Sequence, residues 1–173
     1  MFDHEGTLPF YFHEYVPSLT QFLAMAASPA NVFYGCYLGR EDAERVDLVG
    51  LVGGTALART HSGGRFDAGM CFSKQAQSMD SGMALEFAEL ALDDAFEAED
   101  LKLICMYGAT PKPNVAALRF MRRLGFREYG TCPLLCNWQG EAVDAVMSAL
   151  TRDDWYGRSR KAELIEVHAN GRS

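Results

Sequence analysis

The sequence predicts a mixed α/β (α+β) fold, an antiparallel meander followed by a parallel β-α-β unit. Three observations carry that expectation. Runs rich in apolar and β-branched residues at Val32–Leu38, Leu48–Ala58 and Phe66–Lys74 are separated by turn-forming stretches. From Met83 the apolar spacing changes to a helical period. Leu101–Tyr107 (LKLICMY) is then almost continuously apolar, as suits a central strand buried on both faces.

Taken in order, Pro17 and Ser18 open a short helix whose apolar positions Leu19, Phe22, Leu23 and Ala26 share one face, and Ser28-Pro29 stops it. The charged stretch Gly39–Asp47 turns the first strand into the second, and His61-Ser-Gly-Gly64 signals the next hairpin. Met83–Ala98 is a helix covered largely by Leu85, Phe87, Ala88, Leu92, Ala95 and Phe96. Along its other side run Glu86, Glu89, Asp93 and Glu97; such a row suits acid–base chemistry or, more plainly, a solvated face. A helix joining two strands of one sheet makes those strands parallel. A further helix follows in PKPNVAALRFMRRLGF, with Asn114 at its mouth and Gly125 at its end. Arg127–Trp138 reads as a strand ending in a Trp-Gln-Gly turn. Glu141–Leu150 fits both periods: Val143, Ala145 and Met147 alternate, while Ala142, Val146, Ala149 and Leu150 recur helically, and periodicity leaves the choice open.

Composition narrows the function classes. The 173 residues suit one domain, residues 1–173, with 156–173 as a C-terminal tail. A net charge of −7 argues against nucleic-acid binding, which needs a basic surface. No apolar run approaches a membrane span, and MFDHEGTLPF lacks the layout of a signal peptide, so no membrane partner is expected. Five cysteines without a C-x-x-C pair fit a reduced cytoplasmic protein, and four scattered histidines give no sequence-local metal site. A monomer or homodimer is expected.

The stretch Gln77-Ser-Met-Asp-Ser-Gly82 lies where a helix start offers unpaired N–H groups and a positive dipole end to an anion. Gly82 permits close approach to the backbone, and Ser81 suits a helix cap, which is also all that a Ser-Gly pair need mean. Asp80 opposes a phosphate there: at 4–6 Å and an effective dielectric near 20 the repulsion is roughly 3–4 kcal/mol.

This order of elements resembles the GCN5-related N-acetyltransferase (GNAT) superfamily. The resemblance covers about Val32 to Trp155. Its pyrophosphate loop, Q/R-x-x-G-x-G/A, maps to Gln77, to Asp80 in place of the first glycine, and to Gly82, a degenerate version of the pattern. The second signature maps to Asn114, Ala117, Gly125 and Phe126. The tail WQGEAVDAVMSALTRDDW is similar to the ribosomal-protein N-terminal acetyltransferase branch, and tips Glu141–Leu150 toward strand. The resemblance implies a sheet with a splay between its two central strands, near Cys71 and Met106, and acetyl-CoA as co-substrate without a metal. It implies transfer of the acetyl group to a primary amine, on a small molecule or a protein N-terminus, by direct attack.

The site residues it implies are as follows. Gln77, Asp80, Ser81 and Gly82 form the phosphate loop, and Asn114 and Ala117 meet the pantetheine arm. A backbone N–H at Phe72 or Ser73 takes the thioester carbonyl. Arg119, with Arg122 and Arg123, forms a basic side for the 3′-phosphate or an ordinary solvated face, with Lys74 and Lys112 as lesser candidates. Many relatives protonate the thiolate with a tyrosine seven residues after the asparagine. Here that residue is Met121, so Tyr107 and Tyr129 are the candidate donors, although packing also accounts for them. Glu86, Asp67 and His61 are candidate bases. Against this stand a GNAT-fold module that binds CoA or a protein without catalysis, favoured by Asp80 and Met121, and an unrelated α/β domain with a capped helix.

Overall fold

A computed structural model describes residues 19–38, 47–60, 63–78 and 82–158 of the chain. Helix α1 (Leu19–Ala26) comes first, followed by β1 (Asn31–Leu38), β2 (Asp47–Thr60) and β3 (Gly63–Phe72), which pair as the expected antiparallel meander. On the face of α1 expected to be buried, Leu23 is 56% exposed. An eight-residue helix, about 12 Å long, lies against the outermost strand β1, where little sheet remains to cover it; the Asn31 amide holds its end by donating to the Met25 carbonyl at 2.8 Å.

Strand β3 ends at Phe72, not Lys74. Ser73 turns the chain into a short helix, α2 (Lys74–Ser78), by accepting the Ala76 N–H on its hydroxyl at 3.2 Å. Then come α3 (Met83–Glu97), β4 (Leu103–Pro111), α4 (Val115–Arg123), β5 (Arg127–Trp138) and β6 (Glu141–Thr151). The ambiguous segment is therefore a strand. It inserts between its neighbours, giving the sheet order β1-β2-β3-β4-β6-β5. The β3–β4 pair is parallel and all the others antiparallel. Gln139 and Gly140 turn β5 into β6 with positive φ of 57° and 89°, the conformation a tight hairpin needs.

Helix α3 buries Ala88, Ala91, Leu92, Ala95 and Phe96, one helical stripe, against Phe66, Leu103, Met106 and Leu150 of the sheet. Leu124 and Phe126, just beyond α4, enter the same core, so both long helices lie on one face of the sheet. A last helix, α5, spans residues 152–158. Its Trp155 is 4% exposed, stacks on Phe96 at 6.3 Å and donates its indole N–H to Asp93 at 2.6 Å; Arg158 pairs with Glu89 at 3.0 Å. Two of the four carboxylates in the acidic row thus latch α5 to α3. Residues 156–158, where a tail was expected to begin, belong to this helix. No described helix is long and apolar enough to cross a membrane.

Candidate functional site

The parallel pair does not run the length of its strands. Gly64, Arg65, Phe66 and Asp67 pair with Leu103, Cys105, Met106 and Tyr107, and the pairing stops there. Beyond that rung β3 stays with β2 and β4 stays with β6, so a slit opens between them. The parting lies after Tyr107, which keeps Met106 inside the paired part; on β3 it begins four residues before Cys71.

Ladder parity shows what edges the slit. The Ser73 N–H donates to the Val49 carbonyl at 2.8 Å, which puts the odd residues of β3 in hydrogen-bonded pairs with β2. Ala68, Met70 and Phe72 therefore turn their backbone groups toward the slit. Across it, the Lys112 N–H donates to Asp144 at 2.9 Å, so even residues of β4 bond to β6 and Ala109 faces the slit. Backbone N–H and C=O groups on such edges require partners when covered.

Helix α4 closes one end. Asn114 Oδ1 accepts the Ala117 N–H at 3.1 Å, and the Asn114 N–H donates to the Pro111 carbonyl at 2.8 Å. The helix finishes in a Schellman turn: the Gly125 N–H reaches the Arg122 carbonyl and the Phe126 N–H reaches that of Met121, with Gly125 at φ 93°. The asparagine and glycine of the sequence motif thus fix the two ends of this helix.

Two cavities meet at Asn114, Ala117 and Phe120. One, about 110 Å³, occupies the slit and touches Ala68–Met70, Gly108–Pro111 and Met121. The other, about 300 Å³, lies between the start of α3 and α4 and touches Phe72, Gln77, Gly82, Leu85 and Arg123. The Glu86 N–H makes the first helical bond of α3, to Gly82, so the N–H groups of the residues before it have no partner within the helix; of these residues Gly82, Ala84 and Leu85 line the second cavity. The N-cap is Gly82, which provides no side-chain cap; Asp80 and Ser81 lie outside the described residues, as does His61.

The structure brings Phe72, Gln77, Gly82, Asn114 and Ala117 together around the joined cavities. It separates others. Ser73 cannot offer its N–H, which Val49 holds, and its hydroxyl caps α2 in a residue 1% exposed. Arg119 is exposed and touches neither cavity; the arginine that does is Arg123, while Arg122 grips Glu128 at 2.6 Å. Glu86 is likewise exposed in the first turn of α3 and touches neither cavity, because its helix turns that side to solvent. Lys112 pairs with Asp144 at 3.8 Å. Gln77 folds its amide back onto the Phe72 carbonyl at 2.7 Å.

Tyr107 and Tyr129 do meet, ring edge to ring face at 6.3 Å, at the narrow end of the slit on the face away from α3 and α4. A hydrogen bond with the Cys105 thiol holds the Tyr107 phenol above its ordinary range, against the pull of Arg65. Met70, Ala109 and Phe120 were not legible as site residues, since a backbone donor leaves no side-chain pattern; the period-2 reading of β3 and β4 was the one available signal.

Solved acetyltransferases share this architecture. A ribosomal-protein-S5-alanine acetyltransferase from Vibrio fischeri superposes with a TM-score of 0.60 at 16% identity, over 79% of this chain and 70% of that one. A mutant form of spermidine N-acetyltransferase SpeG from Vibrio cholerae gives 0.64 at 20%, over 91% and 89%. Mycobacterium smegmatis RimJ, in complex with CoA-disulfide, gives 0.52 at 19%, over 61% and 48%. The fold is that of the GCN5-related N-acetyltransferases. No family model matches the sequence, and no curated protein matches it. The GNAT fold accounts for the parallel pair, the slit and the helix that Asn114 caps.

Proposed function

We propose that the chain is an acetyl-CoA-dependent N-acetyltransferase acting on a primary amine by direct attack. The observation that carries this is the slit between β3 and β4, edged by backbone groups without sheet partners and continuous with the cavity at the start of α3. Pantetheine is a chain with two amides, the chemistry such edges accept. The orphan N–H groups of Met83–Leu85 and the Arg123 guanidinium suit the phosphates at the other end.

In the reaction the amine nitrogen attacks the thioester carbon, the C–S bond breaks, and the amine proton passes to water. The carbonyl oxygen takes an N–H from Met70 or Phe72, the two that parity turns into the slit, in place of Ser73. Tyr107, whose phenol is held neutral, turns its one proton from the Cys105 thiol to the leaving sulfur as that sulfur gains charge. The acceptor must be neutral: an α-amine gives up its proton at pH 7 for about 1 kcal/mol, a lysine-like amine for about 4–5 kcal/mol. A cytoplasmic location goes with this reading, since none of the five cysteines is in a disulfide.

One observation favours a non-catalytic CoA-binding module instead. Met121 lines the slit, and its Cε lies 3.0 Å from where a Cβ on Gly108 would stand, so an apolar side chain occupies the place where the family pattern has a proton donor. Calorimetry with acetyl-CoA and desulfo-CoA, followed by mass spectrometry of an amine panel, tests both readings. Binding with acetylated product is expected. Binding without product across the panel would favour the module, and absence of heat with either ligand would remove both.

A further inference from the structure

The face of the sheet turned away from α3 and α4 has its own chemistry at the narrow end of the slit. Phe66 and Met106 pair on the helix side of the last two rungs, so Asp67 and Tyr107, one residue on, share the opposite face. Arg65 and Cys105 are on that face too, one rung back from Phe66 and Met106. The next residues on this face along the slit are Gly69 and Ala109, neither with a side chain long enough to close it. The slit is therefore open to this face immediately beyond Asp67 and Tyr107. Tyr129 of β5 is 59% exposed and sets its ring against that of Tyr107, and Met147 pairs with Ala109 on this face.

Among the described residues of β3 and β4, two charged ones lie on this face along the paired rungs. Asp67 provides one carboxylate and Arg65 one guanidinium. An acceptor with several ammonium groups would meet one carboxylate and a nearby cation. An acceptor with one amine on an apolar body would meet one carboxylate and two aromatic rings. A carboxylate has roughly four acceptor positions, so Asp67 can hold an amine alongside its other contacts.

We propose that Asp67, Tyr107 and Tyr129 form the acceptor subsite, and that it selects a single primary amine next to an apolar group over a polyamine. This rests on the acetyltransferase reading above. Asp67 is a positioning residue that orients the amine toward the thioester, and Tyr129 sets selectivity through the apolar flank. The amine enters from this face while the donor fills the slit from the helix side.

The test uses the full chain with three acceptors: phenethylamine, a peptide with a free N-terminal phenylalanine, and spermidine. Acetyl-CoA affinity is measured separately by calorimetry. The expected result is a kcat/KM for phenethylamine or for the peptide at least about 100-fold above that for spermidine; which of the two leads tells a small-molecule source from a polypeptide one. Asp67→Asn and Tyr129→Ser should each raise KM for the better amine about tenfold while acetyl-CoA affinity stays unchanged, with Asp67→Glu recovering part of the loss. Spermidine as the equal or better acceptor overturns the proposal, and so does an unchanged KM in both Asp67→Asn and Tyr129→Ser. Failure of the wild-type chain to bind acetyl-CoA overturns the underlying reading instead.

Discussion

The two helices that flank the joined cavities are built in opposite ways. Helix α4 is fixed by side chains: Asn114 caps its start, a Schellman turn at Gly125 ends it, and Arg122 ties it to Glu128. Helix α3 begins at Gly82 with no side-chain cap, and offers backbone N–H groups to the cavity. It is held from its far side, by Trp155 on Asp93 and Arg158 on Glu89. On the acetyl-CoA reading proposed above, the difference separates two tasks. A wall that must contact a neutral pantetheine arm benefits from rigidity near the contact. A wall that must receive phosphate keeps its donors available and draws its rigidity from elsewhere.

That contrast breaks most severely at Trp155. Replacing it with alanine removes a buried indole stacked on Phe96 and the donor that Asp93 accepts, so Trp155→Ala should destabilise the chain by about 3–5 kcal/mol in urea unfolding. A loss below 1 kcal/mol would show that α3 does not depend on α5. Next in size is Ala117→Trp. Ala117 touches both cavities and is half-buried, so the indole should fill their junction and weaken acetyl-CoA binding at least about 100-fold, or about 2.8 kcal/mol. Unchanged affinity in calorimetry would mean that the ligand does not pass Ala117.

Asn114 has both roles, and two substitutions separate them. Asn114→Ala loses the cap and should cost about 1 kcal/mol of stability. Asn114→Asp keeps the oxygen that accepts from Ala117 and should retain most of that stability. Neither variant has the amide donor, so both should bind acetyl-CoA about fivefold to tenfold more weakly, the worth of one hydrogen bond. Equal affinity in wild type and Asn114→Asp would reduce Asn114 to a cap.

The same contrast explains what could be read in advance. The α4 end was legible because Asn, Gly and their spacing are the physical means by which that helix starts and stops. The meander, the acidic helix and the parallel pair were legible because their periods differ. The oxyanion donor was expected at Phe72 or Ser73; parity excludes Ser73 and brings in Met70, and parity needs the register that only pairing reveals. Arg119 and Arg123 share a sequence environment, yet only Arg123 reaches the cavity, because which side of a basic helix faces a cleft depends on how the helix docks. The strand at Glu141–Thr151 was undecidable by period and was settled by its place between β4 and β5.

The smallest expected effect probes the uncapped helix. Gly82 has φ −61° and ψ 18°, and a Cβ there meets nothing within 4 Å, so Gly82→Ser introduces neither strain nor a clash. A serine at the N-cap accepts one of the first-turn N–H groups, which should raise stability by a few tenths of a kcal/mol over glycine. The hydroxyl then competes with the phosphates for that donor, so acetyl-CoA should bind about twofold more weakly, an effect within reach of paired calorimetry and urea titrations. Higher stability together with weaker binding would identify the orphan donors of α3 as the phosphate contact; higher stability with unchanged binding would place the phosphates elsewhere, on Arg123 alone.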